Sequence, residues 1–165
     1  MAVRNIVKKG DEILRKKCKP IEVFDEKLGE LLDDMIETLQ GANGVGLAGP
    51  QVGTLRRLCV IYDEDLGFLE MVNPVIVKFS KKQERDIEGC LSCPDKWGYV
   101  TRPTKCVVRA QDRHGDEYEY RLSGLSARCA FHELDHLDGK LFIDFVDEFV
   151  APEDLDKHTK KRKRK

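Results

Sequence analysis

The sequence predicts an α+β fold in which mainly antiparallel β-sheets pack around a central buried helix carrying a His-Glu-x-x-His motif. Three observations carry that expectation. The stretch from Ser123 to Leu137 has apolar residues nearly all round a helical projection (Leu125, Ala127, Cys129, Ala130, Phe131, Leu134, Leu137), the pattern of a helix enclosed by other structure. A series of short β-rich runs precedes it, as in folds that segregate strands from helices. Arg113-His114-Gly115-Asp116 joins two of those runs as a hairpin turn, which makes their pairing antiparallel.

In chain order, Gly10 to Lys17 reads as a helical turn or loop ended by Pro20. Asp25 is placed to cap a long helix whose Leu28, Leu31, Leu32, Met35, Ile36 and Leu39 recur at helical spacing, with Gly41 as its stop. The run Gly44-Val45-Gly46-Leu47-Ala48-Gly49-Pro50-Gln51-Val52-Gly53 is too rich in glycine for a regular element. It suits either a loop pressed against a ligand or a tight connection. Strands are expected at 56–63, 69–72, 75–79, 83–87, 106–112 and 117–122. His114, at the hairpin turn, is expected to be a solvent-exposed turn residue. The second long helix, Ser123 to Leu137, ends before Gly139.

At 165 residues the chain can bury a core without a metal or disulfides to staple it, so a metal site here is expected to be catalytic. Residues 1–150 are read as one catalytic domain and 151–165 as a charged tail. Residues 157–165 hold seven of the 29 Lys and Arg and no acid, so residues 1–156 carry 22 basic against 30 acidic side chains, a net charge of −8. No apolar run approaches the roughly 20 residues of a membrane span, and Met1 to Gly10 lacks the apolar core of a secretory signal. The expectation is a cytoplasmic protein with no membrane contact. The six cysteines are then read as reduced, with Cys59, Cys106 and Cys129 as small core residues.

His132-Glu133-Leu134-Asp135-His136 concentrates the chemistry. Residues four apart lie on one helix face, so His132 and His136 can share a metal ion with Glu133 beside its open position. A third ligand is needed. The longer pattern ending in a further histidine fails, because position 142 is Phe142. A metalloprotease of the other common kind would draw an acid from Glu148, Glu153 or Asp156. Cys90, in Glu88-Gly89-Cys90-Leu91-Ser92-Cys93-Pro94, offers a thiolate that completes three protein ligands and leaves a fourth position for water. Cys90-x-x-Cys93 is also open to reading as a redox pair or half of a zinc-binding module.

Taken together, Gly44 to Gln51, Glu88 to Ser92 and His132 to His136 resemble, in order and spacing, the three signature motifs of the peptide deformylase family. The similarity spans Gly10 to Phe145. The resemblance implies a metal-dependent hydrolase that removes the N-formyl group from N-formylmethionine at the start of newly synthesised polypeptides. It assigns Cys90, His132 and His136 to one divalent ion, Fe(II) foremost, with Zn(II), Ni(II) or Co(II) as substitutes. Glu133 becomes the proton carrier, and Gln51 and the Leu91 N–H the oxyanion donors. Gly46 would hold an extended peptide, Val45, Leu125 and Cys129 would line the methionine pocket near Arg128, and a Glu88–Arg102 ion pair would brace the cysteine loop. Gly49 stands where the family usually has a second alanine, which is expected to loosen that loop. The partners implied are nascent formyl-Met peptides. The chain is expected to act as a monomer, with possible ribosome contact through the basic tail. Cys93 adds the possibility of a disulfide to Cys90 on oxidation.

Overall fold

The computed structural model describes residues 2–155. Of the tail read at 151–165, residues 151–155 are described and include a 3-10 turn at Pro152–Asp154; Asp156 and the basic run 157–165 lie outside the described residues. A short 3-10 turn at Glu12–Arg15 is capped by Asp11. Helix α1 (Glu26–Ala42) starts where the Asp25 carboxylate accepts the Leu28 N–H at 3.0 Å, supplying a partner to a main-chain donor that the helix itself leaves unpaired. Gly41 does not stop it. The helix runs on to Ala42, and Asn43 takes the left-handed conformation (φ 54°) that turns the chain out. Its apolar stripe is buried except for Ile36, which is half-buried.

The glycine-rich run is more regular than expected. It contains a short strand, β1 (Gly46–Ala48), followed by a 3-10 turn at Gly49–Val52. Strands β2 (Leu58–Asp63) and β3 (Gly67–Phe79) follow. The two runs expected at 69–72 and 75–79 are one strand. Its register shifts beside Asn73, which has φ 51° and whose amide bonds to both Ile21 main-chain groups and to Gln111. Strand β4 (Gln83–Cys90) pairs with β5 (Cys93–Pro103), and β6 (Lys105–Gln111) with β7 (Glu117–Ser123). The β6–β7 turn is held by the Asp112 carboxylate, which accepts the His114 and Asp116 N–H groups, and His114 is exposed as expected. Helix α2 (Gly124–Leu137) and the two-residue strand β8 (Glu148–Phe149) complete the order.

Two antiparallel sheets result, β1-β2-β3-β6-β7 and β4-β5-β8. Helix α2 packs against both, with Ala127, Cys129, Ala130, Leu134 and Leu137 in the core it shares with β2, β3, β6 and β7. The cysteines at 59, 106 and 129 are buried in that core. The predicted α+β architecture around a buried motif helix is the observed one. No helix among the described residues is long and apolar enough to cross a membrane.

Candidate active site

Helix α2 packs against β5 of the three-stranded sheet and turns His132 toward Glu88 on β4. His132, Glu133 and His136 are all buried; His132 is paired with a carboxylate, whereas Glu133 Oε1 and His136 Nδ1 have no hydrogen-bond partner among the described residues. His132 Nδ1 lies 2.9 Å from Glu88 Oε1 on β4, which fixes that ring nitrogen as the one facing the carboxylate and leaves Nε2 for another partner. The Phe142 ring stacks on His132 with centroids 5.7 Å apart, so the position where the longer motif needed a further histidine covers the first one instead. His136 Nε2 lies 3.3 Å from Cys90 Sγ.

One ligand atom from each of Cys90, His132 and His136 lies within 4.8 Å of the others, the one such group among the described residues. One thiol and two imidazoles, with one imidazole oriented from behind by a carboxylate, form a donor set suited to a divalent first-row ion with an open position. The residues therefore fit a metal. The acids considered as rival ligands do not join the group. Glu148 is exposed and pairs with Arg85 at 2.9 Å, and Glu153 is exposed.

Glu88 is the hub of a buried network behind His132. Its carboxylate takes two bonds from Arg102 (Nε 2.9 Å, Nη2 3.0 Å), one from Arg128 Nη1 (2.7 Å) and the contact from His132. Burial alone would raise its pKa, but the His132 and Arg102 hydrogen bonds outweigh it and hold the carboxyl far below the usual range. Arg102 also reaches Asp135 at 2.7 Å, so this residue of helix α2 closes the same network. Arg128 lines the cleft, as expected, yet its guanidinium is spent on Glu88 and on the Val100 and Glu84 carbonyls. That bracing role has no signature in the sequence, because it depends on β4 and β5 closing over the helix.

A cleft of about 520 Å³ opens onto this site. Val45, Gly46, Gln51, Glu88, Cys90, Leu91, Leu125, Cys129, His132 and Glu133 line it, so nearly every residue singled out from sequence meets there. His136 lies behind, against Cys90. Gln51 is held by its own carbonyl, which accepts the Ala48 N–H at 2.9 Å, and this aims its Nε2 toward Ser92 Oγ (3.1 Å) and Cys90 Sγ (3.5 Å). Gly49 is not a loosening. A Cβ there would sit 2.5 Å from the Arg56 carbonyl oxygen, so the turn is packed too tightly against the chain beneath it for a side chain.

Burial pushes the Glu133 carboxyl up to about 7, and its Oε1 has no hydrogen-bond partner. Burial, with His132 adding to it, lowers His136 well below the ordinary imidazole value, which keeps it neutral and available as a donor. At His132 burial also opposes charge, but the Glu133 and Glu88 carboxylates outweigh it and raise the value. The hydrogen bond with Cys93 and burial oppose ionisation of Cys90, and a cation beside it would reverse that.

The Glu133 shift has a measurable consequence for the chelated, metal-free protein. The unfolded carboxyl loses its proton near 4.5 while the folded one holds it to about 7. Glu133 therefore costs nothing below the lower value and removes stability as pH rises through that window. The loss should reach roughly 3 kcal/mol above pH 7. Urea unfolding at pH 4.5 and 8 should show wild type losing about that much relative to Glu133→Gln; parallel behaviour of the two would contradict the buried-acid assignment.

A family model described as polypeptide deformylase matches residues 3–151. A peptide deformylase of Caldicellulosiruptor bescii is 53% identical over 156 residues, covering 94% of this chain and 93% of that one. One from Acetivibrio thermocellus is 47% identical over 164 residues, covering 99% and 95%. The crystal structure of peptide deformylase from Thermotoga maritima superposes with a TM-score of 0.85 at 39% identity, over 89% of this chain and 99% of that one.

Proposed function

The chain belongs to the polypeptide deformylase family, and from that premise we propose how its own residues carry the reaction. The enzyme hydrolyses the N-formyl group from formylmethionine at the start of nascent polypeptides, and its chemistry uses a single divalent ion. The observation that best supports the residue assignment is the convergence of Cys90, His132 and His136 within 4.8 Å beside Glu133 and Gln51 on one cleft.

Cys90 Sγ and one ring nitrogen from each of His132 and His136 hold the ion, with Glu88, Arg102, Arg128 and Asp135 fixing the ligands from behind. Fe(II) is the proposed native metal, and Zn(II), Ni(II) or Co(II) suit the same donors. When bound, the divalent ion supplies Lewis acidity that makes water a nucleophile near neutral pH. Glu133 accepts the proton of the attacking water on its unpartnered carboxylate oxygen and delivers it to the departing amine. Gln51 Nε2–H and the Leu91 main-chain N–H donate to the oxyanion that develops on the formyl oxygen. Both sit on elements fixed before substrate arrives, Gln51 by its bond to Ala48 and Leu91 by the β4–β5 turn.

The substrate peptide lies along β1. That strand is the edge of the five-stranded sheet, so Gly46 offers unpaired main-chain groups to an extended chain. Val45, Leu125 and Cys129 receive the methionine side chain; Val45 and Leu125 are exposed apolar residues at the mouth and Cys129 forms the buried floor. Residues 1–150 form the catalytic unit. The enzyme works as a monomer in the cytoplasm, and its basic tail contacts ribosomal RNA by phosphate pairing that salt weakens.

Gly46 has a second constraint. A Cβ there would collide with Glu133 Oε2 and lie 2.5 Å from Cys129 Sγ. Gly46→Ala is expected to displace the proton carrier and lower kcat/KM on the order of 100-fold. The check is turnover alongside far-UV circular dichroism; full activity would mean Glu133 is not confined by β1.

The reaction itself is tested by incubating a formyl-Met tripeptide with anaerobically purified enzyme. Formate and the intact free-amine tripeptide are the expected products, and cleavage between residues would overturn the assignment.

A further inference from the structure

Cys90 ends β4 and Cys93 begins β5, and the two are paired across the turn made by Leu91 and Ser92. Facing residues in an antiparallel ladder have Cα atoms about 4.5–5.5 Å apart, inside the span that a disulfide bridges. Each thiol perturbs the ionisation of the other. The turn is held in place from both sides, since the Lys9 N–H donates to the Ser92 carbonyl at 2.7 Å and Gln51 to the Ser92 hydroxyl. The two thiols differ in access. Cys90 lines the cleft, whereas Cys93 is 1% exposed and sits with Leu14, Leu141 and Phe142 in a core apart from the other four cysteines. Cys93 is also outside the group of metal-ligating atoms.

We propose that Cys90 and Cys93 form a peroxide-reactive pair in which Cys93 resolves oxidation of the ligand cysteine, releases the metal reversibly and protects the site from irreversible damage. This rests on the reading of Cys90 as a ligand. The Cys90 sulfur attacks a peroxide oxygen, the O–O bond breaks, and Cys90 becomes a sulfenic acid as hydroxide leaves. The Cys93 sulfur then attacks the Cys90 sulfur, the S–S bond forms and the S–O bond breaks with loss of water. Across both steps the thiols give up two protons and two electrons, and the hydrogen peroxide is reduced to two waters. A disulfide sulfur lacks the thiolate charge that held the cation, so the ion leaves. Reduction by a dithiol regenerates both thiols. With no resolving thiol, a second hydrogen peroxide transfers an oxygen to the Cys90 sulfenic acid and leaves as water, giving a sulfinic acid that a dithiol does not reverse.

The test uses zinc-loaded full-length enzyme, so that iron redox chemistry is absent, with hydrogen peroxide as the probe. Before oxidation, wild type should hold one zinc and Cys90→Ser should hold less; equal retention would refute the ligand reading, independently of the redox proposal. On peroxide treatment wild type should lose two of its six thiols, become lighter by two hydrogens and yield a Cys90–Cys93 cross-linked peptide. Zinc should leave in step with that cross-link, and dithiothreitol plus zinc should restore formate release. Cys93→Ala should match wild type in zinc content and turnover beforehand, then gain oxygen at Cys90 and stay inactive after reduction. Oxygen addition at Cys90 of wild type without the cross-link, a cross-link that retains zinc, or equal recovery of Cys93→Ala would each overturn the proposal. The wild-type peptide map stands whatever the stability of the variant.

Discussion

Glu133→Gln is expected to keep about one metal per chain and to lose deformylation of formyl-Met peptides by about 100- to 10,000-fold, the usual worth of a positioned acid–base group. The two halves of that result come from different parts of the site. Metal retention is proposed to rest on Cys90, His132 and His136, and none of their hydrogen bonds involves the Glu133 side chain that the variant changes. Glutamine preserves the side-chain volume between Gly46 and Cys129, so the cleft should keep its shape. What it removes is the capacity to accept a proton at an oxygen that burial has already tuned to about 7. Inductively coupled plasma analysis of the purified variant, paired with a formate-release assay, separates the two. Full activity would take Glu133 out of the mechanism, and loss of metal would make it a ligand.

Glu88→Ala is expected to damage both folding and metal binding. Its carboxylate is the shared acceptor of Arg102, Arg128 and His132, and all four side chains are buried. Removing it leaves two buried guanidinium groups with less acceptor capacity than they have charge. Breaking a single buried pair in this way costs about 3–5 kcal/mol, and two cations share this one. His132 also loses the partner that sets its tautomer and ring orientation, which typically lowers metal affinity about 10- to 100-fold. Urea unfolding of the metal-loaded protein and competition with a chromogenic chelator measure the two effects. Glu88→Gln keeps an acceptor at much the same position and should recover part of each loss; equal losses in both variants would mean that shape rather than charge is what matters.

The helix motif was legible in the sequence because its chemistry is local. Histidines four apart share a face on any α-helix, and the apolar residues around them announce that the helix is enclosed. Strand β5 was not legible. Pro94, Asp95, Lys96, Gly98 and Arg102 break the alternation expected of a strand, and what holds Cys93–Pro103 extended is its long pairing with β4 and a short one with β8. The consequence for the site is direct, since β5 supplies Arg102 and the Val100 carbonyl that anchor the network around Glu88. Strand β1 was missed for the opposite reason. Its glycines argue against any regular element, yet Gly46 has no side chain because Glu133 and Cys129 occupy that space. Side-chain identity there reports what lies opposite rather than the local backbone. The pairings of Asp135 and Arg128 likewise depend on residues more than 25 positions away in the chain, which no spacing rule reaches.

The central claim is that one thiolate and two imidazoles from Cys90, His132 and His136 hold the catalytic ion. Cobalt substitution tests it most directly, because a cysteine ligand gives Co(II) a sulfur-to-metal charge-transfer band that imidazole and carboxylate ligands do not. Wild-type enzyme loaded with one Co(II) per chain should show that band and release formate, Cys90→Ser should lose the band, and His136→Ala should fail to retain the ion. A charge-transfer band that persists unchanged in Cys90→Ser would contradict the assignment.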